Sequence, residues 1–243
     1  MVKLGKHLIL TFLAAGILFF LLRQCVCTII AIPQGGNAPT FLQGDRVLLN
    51  KWSYGLRLPR TDWFGYQRVR RKPLRKYDWI AFNSPQVCPD ALPDTSSLCV
   101  GRVIACPGDT VWMGKDGLVS DRKDFRRGCI WPLVVPARGM HVHISPWAVT
   151  LYALTIQRHE GENATTKGDT LFAANHSMEF YRFHRDYCWV SSGNDANLFD
   201  SRSFGFVPAE HVVGRLDAVL YSLDGEQPWY RILRKKRFFR TVE

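Results

Sequence analysis

The sequence predicts a mainly β protein behind an N-terminal transmembrane helix, with one helix in the middle of the β region. Three observations carry that expectation. An apolar run follows two lysines at the start, short apolar stretches alternate with Gly, Asp and Asn turns, and a single internal stretch has helical spacing.

Lys3 and Lys6 precede an apolar run from Leu8 to Leu22; Arg23 and Gln24 interrupt it, and Cys25 to Ile32 resume it. A span needs about 20 residues, and residues 5–24 reach that length if Lys6 and Arg23 carry their charges out to the headgroups. A cleavable signal peptide shares the charged start and the short apolar centre. No small-x-small site follows the run, and Arg23-Gln24 before Cys25 do not form a lipobox, so an uncleaved anchor is expected. The two lysines place its N-terminus in the cytoplasm and the rest outside.

Strands are expected at 46–50, 78–82, 99–105, 110–113, 133–136, 188–191 and 211–222. Gln43-Gly44-Asp45, Pro107-Gly108-Asp109, Lys115-Asp116-Gly117, Gly168-Asp169 and Ser192-Gly193-Asn194-Asp195 supply the turns. The helix is expected from Pro146 to Glu160, with Trp147, Leu151, Leu154 and Ile156 on its apolar face and Gly161 beyond its end.

With 47% hydrophobic and 22% charged residues, the 243-residue chain is globular rather than disordered. Lys and Arg outnumber Asp and Glu by 32 to 21, and they are densest at 67–76 and 231–240. No nucleic-acid module accompanies them, so no nucleic-acid partner is expected. Membrane lipid headgroups or a solvated basic face both fit this charge. The stretch 231–240, with Trp229, Tyr230, Phe238 and Phe239, fits either a membrane-surface element or an extension packed on the β domain. Of seven cysteines, Cys88 and Cys99 bracket a proline-containing loop, which suits a disulfide or two buried thiols equally. His141 and His143 would share one strand face without a third ligand, so neither a metal nor a cofactor is expected.

Four stretches, in order, carry a resemblance. They are Ile32-Pro33-Gln34-Gly35-Gly36-Asn37-Ala38-Pro39-Thr40 with the following Gly44-Asp45 and Asn50-Lys51; Tyr77 to Phe82; Gly101-Arg102-Val103-Ile104-Ala105-Cys106-Pro107-Gly108-Asp109; and Ser192-Gly193-Asn194 through Asp200-Ser201-Arg202 to Gly205-Phe206-Val207-Pro208. Together they resemble the boxes of bacterial type I signal peptidases, peptidase family S26. The resemblance implies a single-pass protein of the bacterial inner membrane with its bulk on the extracytoplasmic side. It also implies an antiparallel β core with an inserted second β subdomain. The expected organisation is 1–31 N-terminus and anchor, 32–112 with 188–222 core, 113–187 insertion carrying the helix, and 223–243 basic tail.

Family chemistry uses a serine nucleophile and a neutral lysine as its base. Carried over by residue, these positions fall on Gly36 and Gly101. The oxyanion hydroxyl falls on Gln34, the serine that supports the lysine on Leu198, and the residue after the nucleophile on Asn37. Pro39, Thr40, Arg102, Asp200, Ser201 and Arg202 keep the scaffold of the substrate groove. Glycine can neither attack nor deprotonate, and losing both members of a nucleophile–base unit removes most catalysis. The expectation is a non-catalytic family member that binds exported preproteins, another signal peptidase or a secretion partner. An active enzyme with a displaced nucleophile at Thr40 or Cys106 is the alternative, with Lys51 and Lys115 the nearest amines.

Overall fold

The computed structural model describes residues 7, 10–16, 26–32, 37–57, 68–85, 98–114, 119–120, 131–173, 176–193, 200–228 and 230–242. In chain order the numbered strands are β1 (Cys27–Ala31), β2 (Asp45–Asn50), β3 (Trp79–Asn83), β4 (Leu98–Ala105), β5 (Thr110–Met113), β6 (Trp131–Val134), β7 (His141–His143), β8 (Ala164–Lys167), β9 (Thr170–Ala173), β10 (His176–Met178), β11 (Phe180–Arg182), β12 (Tyr187–Ser191), β13 (Val207–Pro208), β14 (Val212–Ser222) and β15 (Arg240–Thr241); the short strands Leu56–Arg57, Arg68–Val69 and Val119–Ser120 are left unnumbered. Helix α1 is Val149–Thr155 and α2 is Ser201–Phe204. The mainly β expectation holds, and each expected strand is present within one or two residues of its place.

Most of the expected transmembrane segment, residues 5–24, lies outside the described residues. Of the anchor, residues 7 and 10–16 are described and helical. Among the described residues no helix is long and apolar enough to cross a membrane. The apolar residues that resume after Gln24 form a strand instead: Cys27–Ala31 pairs antiparallel with β2. Thr28, Ile29 and Ile30 are β-branched and suit that conformation.

The chain folds as two compact units. One contains Met1–Ile32, Gln43–Pro73 and Gly214–Val242. Its sheet runs β1-β2-β14-β15, all antiparallel. The two-residue period puts Val47 and Leu49 in its core, and a register shift between Leu216 and Ala218 brings Leu216 and Val219 to the same face. On the other face one cross-strand row runs Ile29, Leu48, Ala218, Thr241. Gly44 sits at φ 90°, and a Cβ there would meet the Leu223 carbonyl oxygen at 1.9 Å, so the turn into β2 requires glycine.

In this unit the basic stretch 231–240 is packed on the sheet. Asp45 has no exposed surface, and Arg237 donates Nε to its Oδ1 at 3.0 Å while its second nitrogen completes a forked pair. Arg234 donates to the Gln43 carbonyl at 2.8 Å and pairs with Asp224 at 3.2 Å. The Gly44-Asp45 turn thus supplies the carboxylate that fastens the tail.

The other unit contains Pro33–Leu42 and Leu74–Val213. Strands β3-β4-β12-β13 form one antiparallel sheet. Pairs β5-β6 and β7-β11 and the meander β8-β9-β10 surround α1. The core joins Val111, Leu133, Tyr152, Ile156, Leu171, Phe183, Tyr187, Trp189 and Phe206. The helical stretch runs from Pro146 to Glu160 and stops at Gly161, φ 76°, as expected. Its buried face differs from the expected one: of Trp147, Leu151, Leu154 and Ile156 only Ile156 is buried, Trp147 and Leu151 are half-buried and Leu154 is 39% exposed, while Val149, Tyr152 and Ala153 are buried. The spacing i, i+3, i+4, i+7 from Val149 defines the true stripe.

At the end of that helix His159 is buried, against the rings of Tyr187 and His211 at 6.2 and 5.6 Å. Burial, reinforced by His211, Arg185 and Arg158, lowers its pKa to about 3. The unfolded chain takes up this proton near pH 6.5, the folded chain only near pH 3. Its contribution to stability is therefore full above pH 6.5 and lost as the pH falls towards 3. Urea unfolding across that window should show a slope steeper by up to about 1.4 kcal/mol per pH unit than in H159F; equal slopes would contradict this. Truncation in R237A, which strands the Asp45 carboxylate, should cost about 3–5 kcal/mol of unfolding free energy. R240A, at an exposed position, should stay within about 0.5 kcal/mol.

Candidate functional site

Gly101 lies in the centre of β4, opposite Ile80 of β3. Tyr77 N–H donates to the Val103 carbonyl at 2.7 Å, and Val103 N–H donates to the Asp78 carbonyl at 2.9 Å. Alternation along the strand then turns the polar groups of Val100 and Arg102 away from β3. On that side β12 pairs with β4 only from Arg102, opposite Ser191, onward. The Val100 carbonyl accepts Nδ2 of Asn37 at 2.8 Å. Asn37 directly follows Gly36, and Val100 directly precedes Gly101, so this bond joins the two segments on which the dyad positions are expected.

Asn37 is 2% exposed, and its carbonyl accepts the Phe41 N–H at 3.0 Å. Phe41 is fully buried and meets Trp79 edge-on at 5.1 Å. Pro39, after a cis bond, is exposed, and Thr40 is half-buried on the same turn. Among the described residues the Trp79 indole N–H has no hydrogen-bond partner.

The space beside Gly101 is filled. A Cβ built there would lie 2.4 Å from Cγ1 of Val190, 3.1 Å from the Ser191 carbonyl oxygen and 3.5 Å from the Phe82 ring. Val190 is fully buried, and its β-branched side chain has little rotamer freedom. No side chain fits at 101 while Val190 stands.

Val190 is held in turn by the fourth box. Its N–H donates to Ser201 Oγ at 2.9 Å. Asp200, with no exposed surface, accepts from Ser192 N–H and Oγ at 3.1 Å each, and from the Arg202 N–H at 3.0 Å. The Arg202 guanidinium closes the set at 2.9 Å. Asp200 thereby caps α2 and ties it to the end of β12. Ser192, fully buried in this network, is not placed to attack a substrate. Arg102 lies over the Tyr77 ring at 5.3 Å and donates to the Tyr77 carbonyl at 3.0 Å.

Gly36, Gln34 and Leu198 lie outside the described residues, as do Lys115 and Cys88. Cys106 follows β4, where its thiol donates to the Leu74 carbonyl at 3.4 Å. Burial first, then Asp109, pushes its pKa up to about 11. The nucleophile is the thiolate, so at neutral pH this group is not activated. Lys51 belongs to the other unit. His141 and His143 stand exposed on either side of the buried Val142, and no group of three possible ligands forms a metal site among the described residues. Two features had no sequence signal. Val190 and Asn37 read as an ordinary strand valine and a departure from a motif, and only proximity gives them their roles.

The sequence description of signal peptidase, peptidase S26, matches residues 5–221. The chain therefore belongs to the signal peptidase family. It is 30% identical over 128 residues to signal peptidase I of Pseudomonas fluorescens, covering 53% of this chain and 38% of that protein. It is 22% identical over 249 residues to signal peptidase I of Buchnera aphidicola subsp. Schizaphis graminum, covering 90% and 76%. Of the relative from Buchnera aphidicola subsp. Acyrthosiphon pisum, matched at 30% identity, it spans about a quarter, 26%.

The packing at Gly101 can be measured. G101A should cost about 1–3 kcal/mol through overpacking against Val190. In G101A/V190A the loss should be smaller than the sum of the two single losses, because each substitution makes room for the other. Additive losses in chemical unfolding would show that the two side chains do not compete for one space.

Proposed function

We propose that this chain is a non-catalytic signal peptidase family protein that binds signal-peptide-bearing preproteins, an active signal peptidase or a secretion partner at the membrane. The observation that carries this reading is the filled space at Gly101. The base is not only missing from the sequence; Val190 occupies the volume its side chain would need. The glycine at 36 adds that the nucleophile position has no hydroxyl. Membership in the family supports preproteins as the ligand class and an extracytoplasmic, membrane-held location, with residues 5–24 as the anchor. It also supports the core and inserted-subdomain organisation, with 113–187 as the insertion. Pro39, Thr40, Arg102, Asp200, Ser201 and Arg202 then serve as scaffold for a groove without chemistry. The alternative, a peptidase with a displaced nucleophile, gains nothing from Cys106, whose thiol is protonated at neutral pH.

Purified full-length protein in detergent, incubated with a preprotein carrying a small-x-small site, should bind it and leave it intact. The double substitution G36S/G101K should remain inactive, because Val190 still blocks position 101. Adding V190A should bring cleavage above the wild-type level. Cleavage at the expected bond by the pure wild type would overturn this reading.

A further inference from the structure

We propose that the C-terminal segment 223–242, which lies beyond the residues matched by the family, is a preformed docking element for an anionic membrane surface. The inference concerns the unit built on β1, β2 and β14 and does not depend on whether the other unit cleaves, binds or ignores a preprotein.

The first part of the case is that the segment has a fixed shape. Asp224 N–H donates to the Ile232 carbonyl at 2.7 Å, Arg234 N–H to the Ser222 carbonyl at 3.0 Å, and Phe239 N–H to the Leu220 carbonyl at 3.3 Å. Leu223 and Leu233 bridge, and β15 pairs with β14 at Ala218 and Val219. Two of the six basic side chains in 231–240 turn inward, Arg234 to Asp224 and Arg237 to Asp45. Those two account for the fastening.

The second part is what remains outside. Arg231, Lys235, Lys236 and Arg240 are exposed. Among the described residues no carboxylate lies within ion-pair distance of Lys235, Lys236 or Arg240, and Arg231 rests over the Tyr230 ring at 5.8 Å. Between these cations stand apolar side chains: Tyr230 is 66% exposed, Leu233 47%, Phe238 43% and Phe239 76%. Burying an exposed phenylalanine is worth about 1.5–3 kcal/mol, so leaving adjacent phenylalanines in water is a cost the fold itself does not relieve.

Alternating aromatic and cationic residues on one short, fixed segment match the boundary of an anionic bilayer. Phosphates meet the cations there, and rings enter the zone between headgroups and acyl chains. A solvated basic face would account for the lysines but not for the exposed rings. The register extends the surface: Thr241 of β15 ends the row that runs through Ala218 and Leu48 to Ile29, itself 54% exposed.

The test is co-sedimentation of the full-length protein with phosphatidylcholine vesicles, with and without phosphatidylglycerol. The N-terminal apolar run contributes in both arms, so the ratio of the two affinities reports the anionic component alone. The wild type should prefer the anionic vesicles, and added salt should erase the preference. K235Q/K236Q/R240Q should reduce the ratio by roughly fivefold per charge removed. F238S/F239S should weaken binding to both vesicles. R70Q/R71Q/K72Q, in the other basic stretch, should leave the ratio unchanged. All these side chains are exposed, so unchanged melting temperatures would show that the fold is intact. No anionic preference in the wild type would overturn the proposal. So would a ratio that survives in the tail variant or disappears in the 70–72 variant, since the preference would then belong elsewhere. Unaltered binding by F238S/F239S would remove the apolar half of the case.

Discussion

A carboxylate without access to water governs how the candidate site is built. Asp200 would lose several kcal/mol on burial, and donors from Ser192 and Arg202 offset that loss by surrounding it. The consequence runs outward in steps. Asp200 fixes α2 at its first turn, α2 presents Ser201 Oγ, and Ser201 holds the Val190 N–H. Val190 then stands in the space beside Gly101. An Asp-Ser-Arg box that resembles a peptidase signature thus has a structural role in this chain.

Packing also fixes the neighbouring segment. Asn37 directs its amide into the Val100 carbonyl rather than towards solvent. Phe41 and Trp79 close edge-on behind it. The buried indole N–H of Trp79 is the polar atom there for which the described residues supply no partner.

Each unit buries an acid against an arginine, Asp45 with Arg237 in one and Asp200 with Arg202 in the other. In the unit holding β1 and β2, Asp45 captures the tail through Arg237, Arg234 pairs with Asp224, and Arg231, Lys235, Lys236 and Arg240 are exposed. In the second unit the buried His159 stays neutral at neutral pH, because burial first and then His211, Arg185 and Arg158 lower its pKa. The net charge of +11 therefore says little by itself, since the arginines that hold the fold and the lysines that meet the outside come from the same ten-residue stretch.

Much of this was legible in the sequence. Period-two alternation gave the strands, because a pleated strand with one buried face must alternate, and Pro146 and Gly161 marked the helix by their own backbone limits. The absence of serine at 36 and lysine at 101 needs no coordinates. Other features were decided only in three dimensions. Leu154 looked like part of the helix's apolar face, but the stripe set by Val149 and Tyr152 leaves it outside. Cys27–Ala31 read as more of an apolar run, yet it pairs with Asp45–Asn50, and strand pairing depends on a partner far along the chain. Sequence determines which side chains exist and the local conformations they favour. Which valine fills the space beside a glycine, and which arginine reaches a buried aspartate 192 positions away, depends on distances that only the folded chain sets.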